Sequence, residues 1–228
     1  MDKKITIAID GFSSTGKSTL AKQLAKELGY VYVDTGAMYR AIAFFSMQKA
    51  YIKTDYLDKE SLIKSLPNIQ LQFKFNPELG FAEMYLNGEN VERQIRTIEV
   101  SGFVSKVAEI PEVRTKLVEQ QQQMGKNKGI VMDGRDIGTV VFPDAELKIY
   151  MTASAQTRAQ RRYDELIQKG DSVTFEEVLQ NVEERDYIDT HRSNSPLVKA
   201  DDAIEIDNSN LNREEQFELV LDLVKQKS

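Results

Sequence analysis

The 228-residue chain is 41% hydrophobic and 29% charged, enough to bury a core in one substantial domain and too apolar for a disordered chain. Thirty Lys and Arg against 36 Asp and Glu leave a net charge of −6, which repels nucleic acid and anionic membranes, so an anionic ligand must be held by locally placed cations. The absence of cysteine excludes disulfides, thiolate metal sites and cysteine nucleophiles, and the lone His191 argues against a histidine-built metal centre.

Met1-Asp2-Lys3-Lys4 runs directly into Ile5–Ile9, with no signal segment, and no stretch reaches the ~20 apolar residues that cross a bilayer. The expectation is a cytoplasmic monomer without membrane or nucleic-acid partners. Ile5–Ile9 is β-branched and reads as a strand. Leu20, Leu24 and Leu28 then repeat every four residues and predict a helix that Gly29 stops. Tyr30–Val33 predicts a second strand and 37–51 a long helix. Further strands are expected at Ile130–Met132, Leu147–Met151 and Ala203–Ile206. Strands alternating with helices predict an α/β fold with a parallel sheet and sites at the carboxyl ends of its strands.

The stretch 69–91 breaks that rhythm. Ile69–Phe75 alternates with period two, Phe81–Leu86 is apolar, and Asn87-Gly88 is a hairpin-turn pair, so a small antiparallel insert is predicted. Helices are expected over 95–110 and 112–124, split by Pro111, over 155–169 and 175–192 around Gly170, and over 211–227.

Gly11-Phe12-Ser13-Ser14-Thr15-Gly16-Lys17-Ser18, followed by Thr19, matches the phosphate-binding loop pattern G-x-x-x-x-G-K-[ST] between a predicted strand and helix. Glycines let successive N–H groups face one concavity, and the helix N-terminus adds partial positive charge. Lys17 is suited to the β/γ-phosphates of ATP and the Ser18 hydroxyl to Mg²⁺. A guanine-reading N-K-x-D motif is missing, since Asn127-Lys128 continues as Gly129-Ile130, which disfavours a GTPase-type switch. A small-molecule kinase needs additional cations for a second phosphate. None of the eleven arginines precedes Arg40, and five (Arg158, Arg161, Arg162, Arg185, Arg192) fall in the late helical pair. Arg158 and Arg162 share a helix face, as do Arg185, Asp189 and Arg192; a solvated face with ordinary ion pairs accounts for the same spacing. Asp133, at the end of a predicted strand, is either a plain strand terminus or the second Mg²⁺-supporting residue.

Taken with the loop, the blocks Asp34–Arg40, Ile95-Arg96-Thr97, Val104–Ala108, Pro111–Arg114 and Asp133–Asp144 resemble the bacterial cytidylate kinases of the long type over nearly the whole length. The resemblance implies a P-loop kinase fold: a parallel sheet flanked by helices, a small antiparallel insert in the monophosphate-binding region, and a helical lid. The corresponding divisions are a core at about 1–35, 96–155 and 195–228, a monophosphate-binding region at about 36–95 and a lid at about 156–194.

It further implies transfer of phosphate from ATP to CMP and dCMP. Arg40, Arg135 and Arg192 would hold the CMP phosphate, and Thr35 and Tyr39 would also contact the substrate. Ser105, Arg114 and Asp136 would surround cytosine, Arg185 and Asp189 the ribose, while Arg158 and Arg162 would belong to the lid over ATP. Asp136 suits the cytosine amino group, because uracil would place a carbonyl against the carboxylate. Read alone, Ser105 is more often a small helix-packing residue, and Tyr39 reads equally as a core aromatic. Phe12 stands where the family commonly has proline, the loop's 13–15 stretch is unusually hydroxylated, Thr35 replaces a common Ser, and Ile188 occupies an often charged lid position. Other acceptors open to a P-loop kinase are UMP, AMP and shikimate.

Overall fold

All six residues of β1 (Thr6–Gly11) are buried, the pattern of a strand covered on both faces. It is followed by α1 (Lys17–Leu28), which buries Leu20, Ala21, Leu24 and Ala25, and ends where Gly29 adopts a left-handed conformation and returns its N–H to Ala25 and Lys26. The computed structural model describes residues 4–53 and 56–227. They divide into two compact units, one up to Tyr32 and from Gly125 onward, the other Val33–Met124, with the division falling inside β2 (Val31–Asp34).

In the second unit, α2 (Thr35–Gln48) is capped by the Asp34 carboxylate, which accepts the Ala37 N–H at 2.9 Å. The two-residue strands β3 (Ile52–Lys53) and β4 (Tyr56–Leu57) pair antiparallel ahead of α3 (Lys59–Ser65). An antiparallel sheet then forms from β5 (Leu71–Asn76), β6 (Phe81–Leu86) and β7 (Glu89–Asn90). The Asn87-Gly88 pair, both at positive φ, turns β6 into β7. The helix expected from residue 95 begins as α4 (Ile98–Ala108), because Thr97 caps it after a single 3₁₀ turn; Pro111 opens α5 (Pro111–Met124). One core joins Met38 and Ile42 of α2 to Met84 and Leu86 of β6, Val100 and Val107 of α4, and Leu117 of α5. That shared core joins 98–124 to the antiparallel sheet within this unit.

The first unit continues with β8 (Ile130–Gly134), β9 (Leu147–Thr152), α6 (Ala155–Gln168), α7 (Phe175–His191), β10 (Ile204–Asp207) and α8 (Arg213–Lys225). The sheet order is β10-β9-β1-β8-β2, with β1 parallel to both β8 and β9 and β9 parallel to β10. Ile7, Ile9, Leu24, Val131, Ile149 and Val220 fill the core beside it. Chain order reverses across β1, which makes the carboxyl ends of β1, β8 and β9 the natural ligand-binding edge. The helices α6 and α7 pack on each other within this unit. Among the described residues no helix is long and apolar enough to cross a membrane.

Candidate active site

The loop after β1 is built on two enforced backbone conformations. A Cβ at Gly11 would lie 2.0 Å from the Met151 carbonyl oxygen of β9, and Gly16 sits at φ 89°, so neither position takes a side chain without strain. No side chain caps the N-terminus of α1, where the Thr19 N–H donates to the Gly16 carbonyl, and the helix end adds partial positive charge that favours an anion. Thr15 Oγ1 donates to the Phe12 carbonyl at 3.0 Å, and Lys17 Nζ donates to that same carbonyl and to Thr15 Oγ1. Among the described residues no carboxylate lies in ion-pair contact with Lys17. Burial pushes its ammonium down to about 7, with the Arg135 charge acting the same way and Asp133 and Asp10 opposing. A polyphosphate would restore the charge balance this amine lacks. Ser13, also in the loop, has a buried hydroxyl without a hydrogen-bond partner.

Ser18 Oγ donates to Asp133 Oδ2 at 2.9 Å, and the Tyr32 hydroxyl donates to the other carboxylate oxygen at 2.8 Å. Both are hard oxygen donors. Among the described residues no group of three His, Cys, Asp or Glu could hold a metal by itself, so this pair fits an ion that takes its remaining ligands from phosphate and water, as Mg²⁺ does.

Arg158 and Arg162 share a helix but are held differently. Arg158 is 4% exposed; it donates to the carbonyls of Ala153 and Ser13, pairs with Asp186 at 2.6 Å, and lies 5.0 Å from the Phe12 ring centre. Phe12, in the place of the usual proline, therefore packs against an arginine, with Tyr150 edge-on to its ring. Arg162 instead pairs with Glu165 one turn on, at 2.9 Å. Between these two arginines in sequence, Arg161 donates to the side chain and carbonyl of Asn208, whose amide also binds the Thr15 carbonyl and Gln216.

Asp189 gathers three further arginines of this unit, Arg135, Arg185 and Arg192. Arg135 Nε donates to it at 2.8 Å and Arg192 stands 3.7 Å away, while Arg192 Nε binds the Ser195 carbonyl. Burial works to raise the Asp189 carboxyl, but the charges of Arg135, Arg185 and Arg192 outweigh it and leave the group below its usual range. Asp136, next to Arg135, is buried and begins a short helical turn at 137–141.

In the second unit the Asp34 carboxylate is shared by Arg40 at 3.0 Å and Arg96 at 2.8 Å, and Arg96 also binds Glu92. Burial acts to raise Asp34, yet Arg40, Arg96 and the Ala37 N–H together hold it well below the ordinary carboxylate range. Thr35 and Tyr39 are buried on α2, and Arg114 lies 5.7 Å from the Tyr39 ring centre while donating to the Ala108 carbonyl at 3.3 Å. Ser105 is 1% exposed and its hydroxyl makes no hydrogen bond, an uncommon state for a residue that only packs a helix.

Sequence reasoning missed the partners that hold these groups: Asp10, Tyr32, Asp34 as a counter-charge, Asn208 and Asp186. Asp34 had a local signal, since an Asp three residues before Ala37 at a predicted helix start is a cap. The others act across large sequence separations and leave no spacing to read.

Comparison with known proteins agrees along the chain. Residues 7–226 match the cytidylate kinase family model. A cytidylate kinase of Flavobacterium johnsoniae is 79% identical, covering 97% of this chain and 96% of that protein. One from Bacteroides thetaiotaomicron is 59% identical over 95% and 94% of the two chains. A crystal structure of an uncharacterized protein from Eubacterium ventriosum covers 98% of this chain at a TM-score of 0.50 and 10% identity, a likeness of fold alone. With the phosphate-binding loop, its buried lysine and this full-length similarity in place, the chain belongs to the cytidylate kinase family.

Proposed function

We propose that the protein transfers the terminal phosphoryl group of ATP to CMP and dCMP. A phosphate oxygen of the monophosphate forms the new P–O bond as the bond to the β-phosphate bridging oxygen breaks, giving CDP or dCDP and ADP. The observation that carries this reading is the intact loop with buried Lys17, in a chain that matches a cytidylate kinase over 97% of its length.

In this reading Gly11–Thr19 cradles the ATP phosphates, with Lys17 at the transferring group. Arg40, Arg135 and Arg192 hold the acceptor phosphate, with Thr35 and Tyr39 supporting it on α2. The acceptor is already an anion, so no general base is required, and catalysis consists of positioning and charge neutralisation. Ser18 and Asp133 would hold Mg²⁺, which supplies charge neutralisation between the phosphates. Arg185 and Asp189 take the ribose hydroxyls. Ser105 and Arg114 offer donors to the cytosine acceptors and Asp136 accepts from its amino group; the buried, unbonded Ser105 hydroxyl supports that assignment. Arg158 and Arg162 form the lid, and Arg162 has to leave Glu165 to reach phosphate. The site of action is the cytoplasm and the working form a monomer.

A coupled ATP assay across CMP, dCMP, UMP, AMP and shikimate tests the proposal. CMP and dCMP should exceed the rest by about 100-fold in kcat/KM, a margin that hydrogen-bonded base recognition readily supplies. Equal turnover of UMP or of a non-nucleotide would overturn it. In Asp136→Ala the preference for CMP over UMP should fall by about tenfold or more; an unchanged ratio removes Asp136 as the base reader.

A further inference from the structure

Asp10 is the last residue before the phosphate-binding loop, and the mechanism above gives it no task. It is buried at the end of β1, directly beside Gly134 of β8 in the parallel ladder. Its carboxylate reaches past that strand end: Oδ1 accepts the N–H of Ile137 at 2.8 Å and Oδ2 the N–H of Gly138 at 2.7 Å. The two residues enclosed between Gly134 and Ile137 are Arg135 and Asp136. This dipeptide is therefore tied at one end by the β1–β8 ladder and at the other by Asp10, both ties coming from the strand that delivers the ATP-binding loop. Gly138 fits the arrangement, because a Cβ there would lie 3.1–3.3 Å from the Lys148 stem and 3.4 Å from Asp10 Oδ2.

We infer that Asp10 is a positioning residue for the acceptor nucleotide: by clamping the Ile137 and Gly138 N–H groups it sets where Arg135 and Asp136 stand, and so governs CMP affinity and base choice. The inference rests on the assignment of those two residues to CMP. A purely structural role would ask for a carboxylate that stabilises the fold, and Asp10 is poorly suited to that. Burial pushes it up to about 7 despite the two N–H bonds, with Asp136 adding to the rise and Lys17 opposing. Because its folded pKa is raised, its contribution to stability is full below the ordinary value near 3.8 and is lost as pH rises through about 7.

The test is Asp10→Asn in the full chain. The variant keeps size but turns an amide NH₂ toward one of the two N–H donors. KM for CMP should rise about tenfold and the CMP-over-UMP ratio in kcat/KM fall about tenfold, while KM for ATP and the thermal midpoint change little. A CMP KM and a CMP/UMP ratio both within about twofold of wild type would overturn the inference, whatever happens to stability. If Asp10→Asn fails to fold, Asp10→Glu decides, since it keeps both acceptor oxygens but displaces them by one methylene and is expected to give the same paired change. Wild-type protein without CMP preference would instead refute the proposed function. Asp136→Ala measured alongside separates loss of the base-reading assignment from loss of the clamp, which then stands or falls on the CMP KM through Arg135.

Discussion

Two clusters, one in each unit, hold their cations in opposite states. In the first, Lys17 is buried against a carbonyl and a hydroxyl, and its charge is disfavoured until an anion arrives. In the second, Arg40 and Arg96 already share the Asp34 carboxylate and need no ligand for charge balance. One cluster lies within a contiguous loop; the other joins side chains 62 residues apart. The contrast predicts that substituting Lys17 acts on turnover and substituting Asp34 acts on stability.

The largest effect is expected for Lys17→Ala, which should lower kcat by about 10³-fold or more while leaving the fold intact, because the interaction it removes is realised on the transferring phosphate. Near-normal turnover would break the contrast at its strongest point. Next comes the pair on α6. Arg158→Ala, which removes contacts to Ser13, Phe12 and Asp186, should cost at least about tenfold more in kcat than Arg162→Ala, whose partner is a neighbour on its own helix. Equal losses would mean that both arginines reach the phosphates alike in the working enzyme.

Asp34→Asn should leave two arginines around an uncharged amide and lower stability by about 2–3 kcal/mol in urea unfolding, less than for a fully buried pair because Arg96 is partly exposed. The sign with pH follows from a depressed carboxyl. The stability Asp34 contributes is present above its ordinary value near 3.8 and is lost as pH falls below that toward the folded value. Wild type and Asp34→Asn should therefore converge on acidification, as read from unfolding midpoints. A constant gap across that range would remove Asp34 as the counter-charge.

How much of this was legible follows the same division. Gly11 and Gly16 act through local backbone conformation, and Lys17 and Ser18 follow within the same eight residues, so spacing alone exposes them. The helix after Gly16, the hairpin pair Asn87-Gly88 and the break at Pro111 were readable for the same reason: each is a local φ/ψ requirement met by one residue type. The unit boundary was not readable. Residues 98–124 look like any amphipathic helices in sequence, and only the packing of Val100, Val107 and Leu117 with Met38 and Ile42 assigns them to the unit of the antiparallel insert. Arg158 and Arg162 show the limit of periodicity, since a shared helix face does not tell which member finds Asp186 and the loop and which finds Glu165.

By itself the sequence determined the chemistry on offer: a loop of the phosphate-binding pattern, arginines late in the chain, no thiol, and family-specific blocks in order. Local conformation needs no partner, so it survives in one dimension. The tertiary structure alone decided which charges are balanced and which loops are held. Asp34 reaches Arg96, Asp133 takes Ser18 and Tyr32, and Asp10 clamps Ile137 and Gly138 across 127 and 128 positions of chain. A buried charge or an N–H pair is satisfied by whatever the fold brings near, and that nearness is set by strand order and packing, which no spacing in the sequence records.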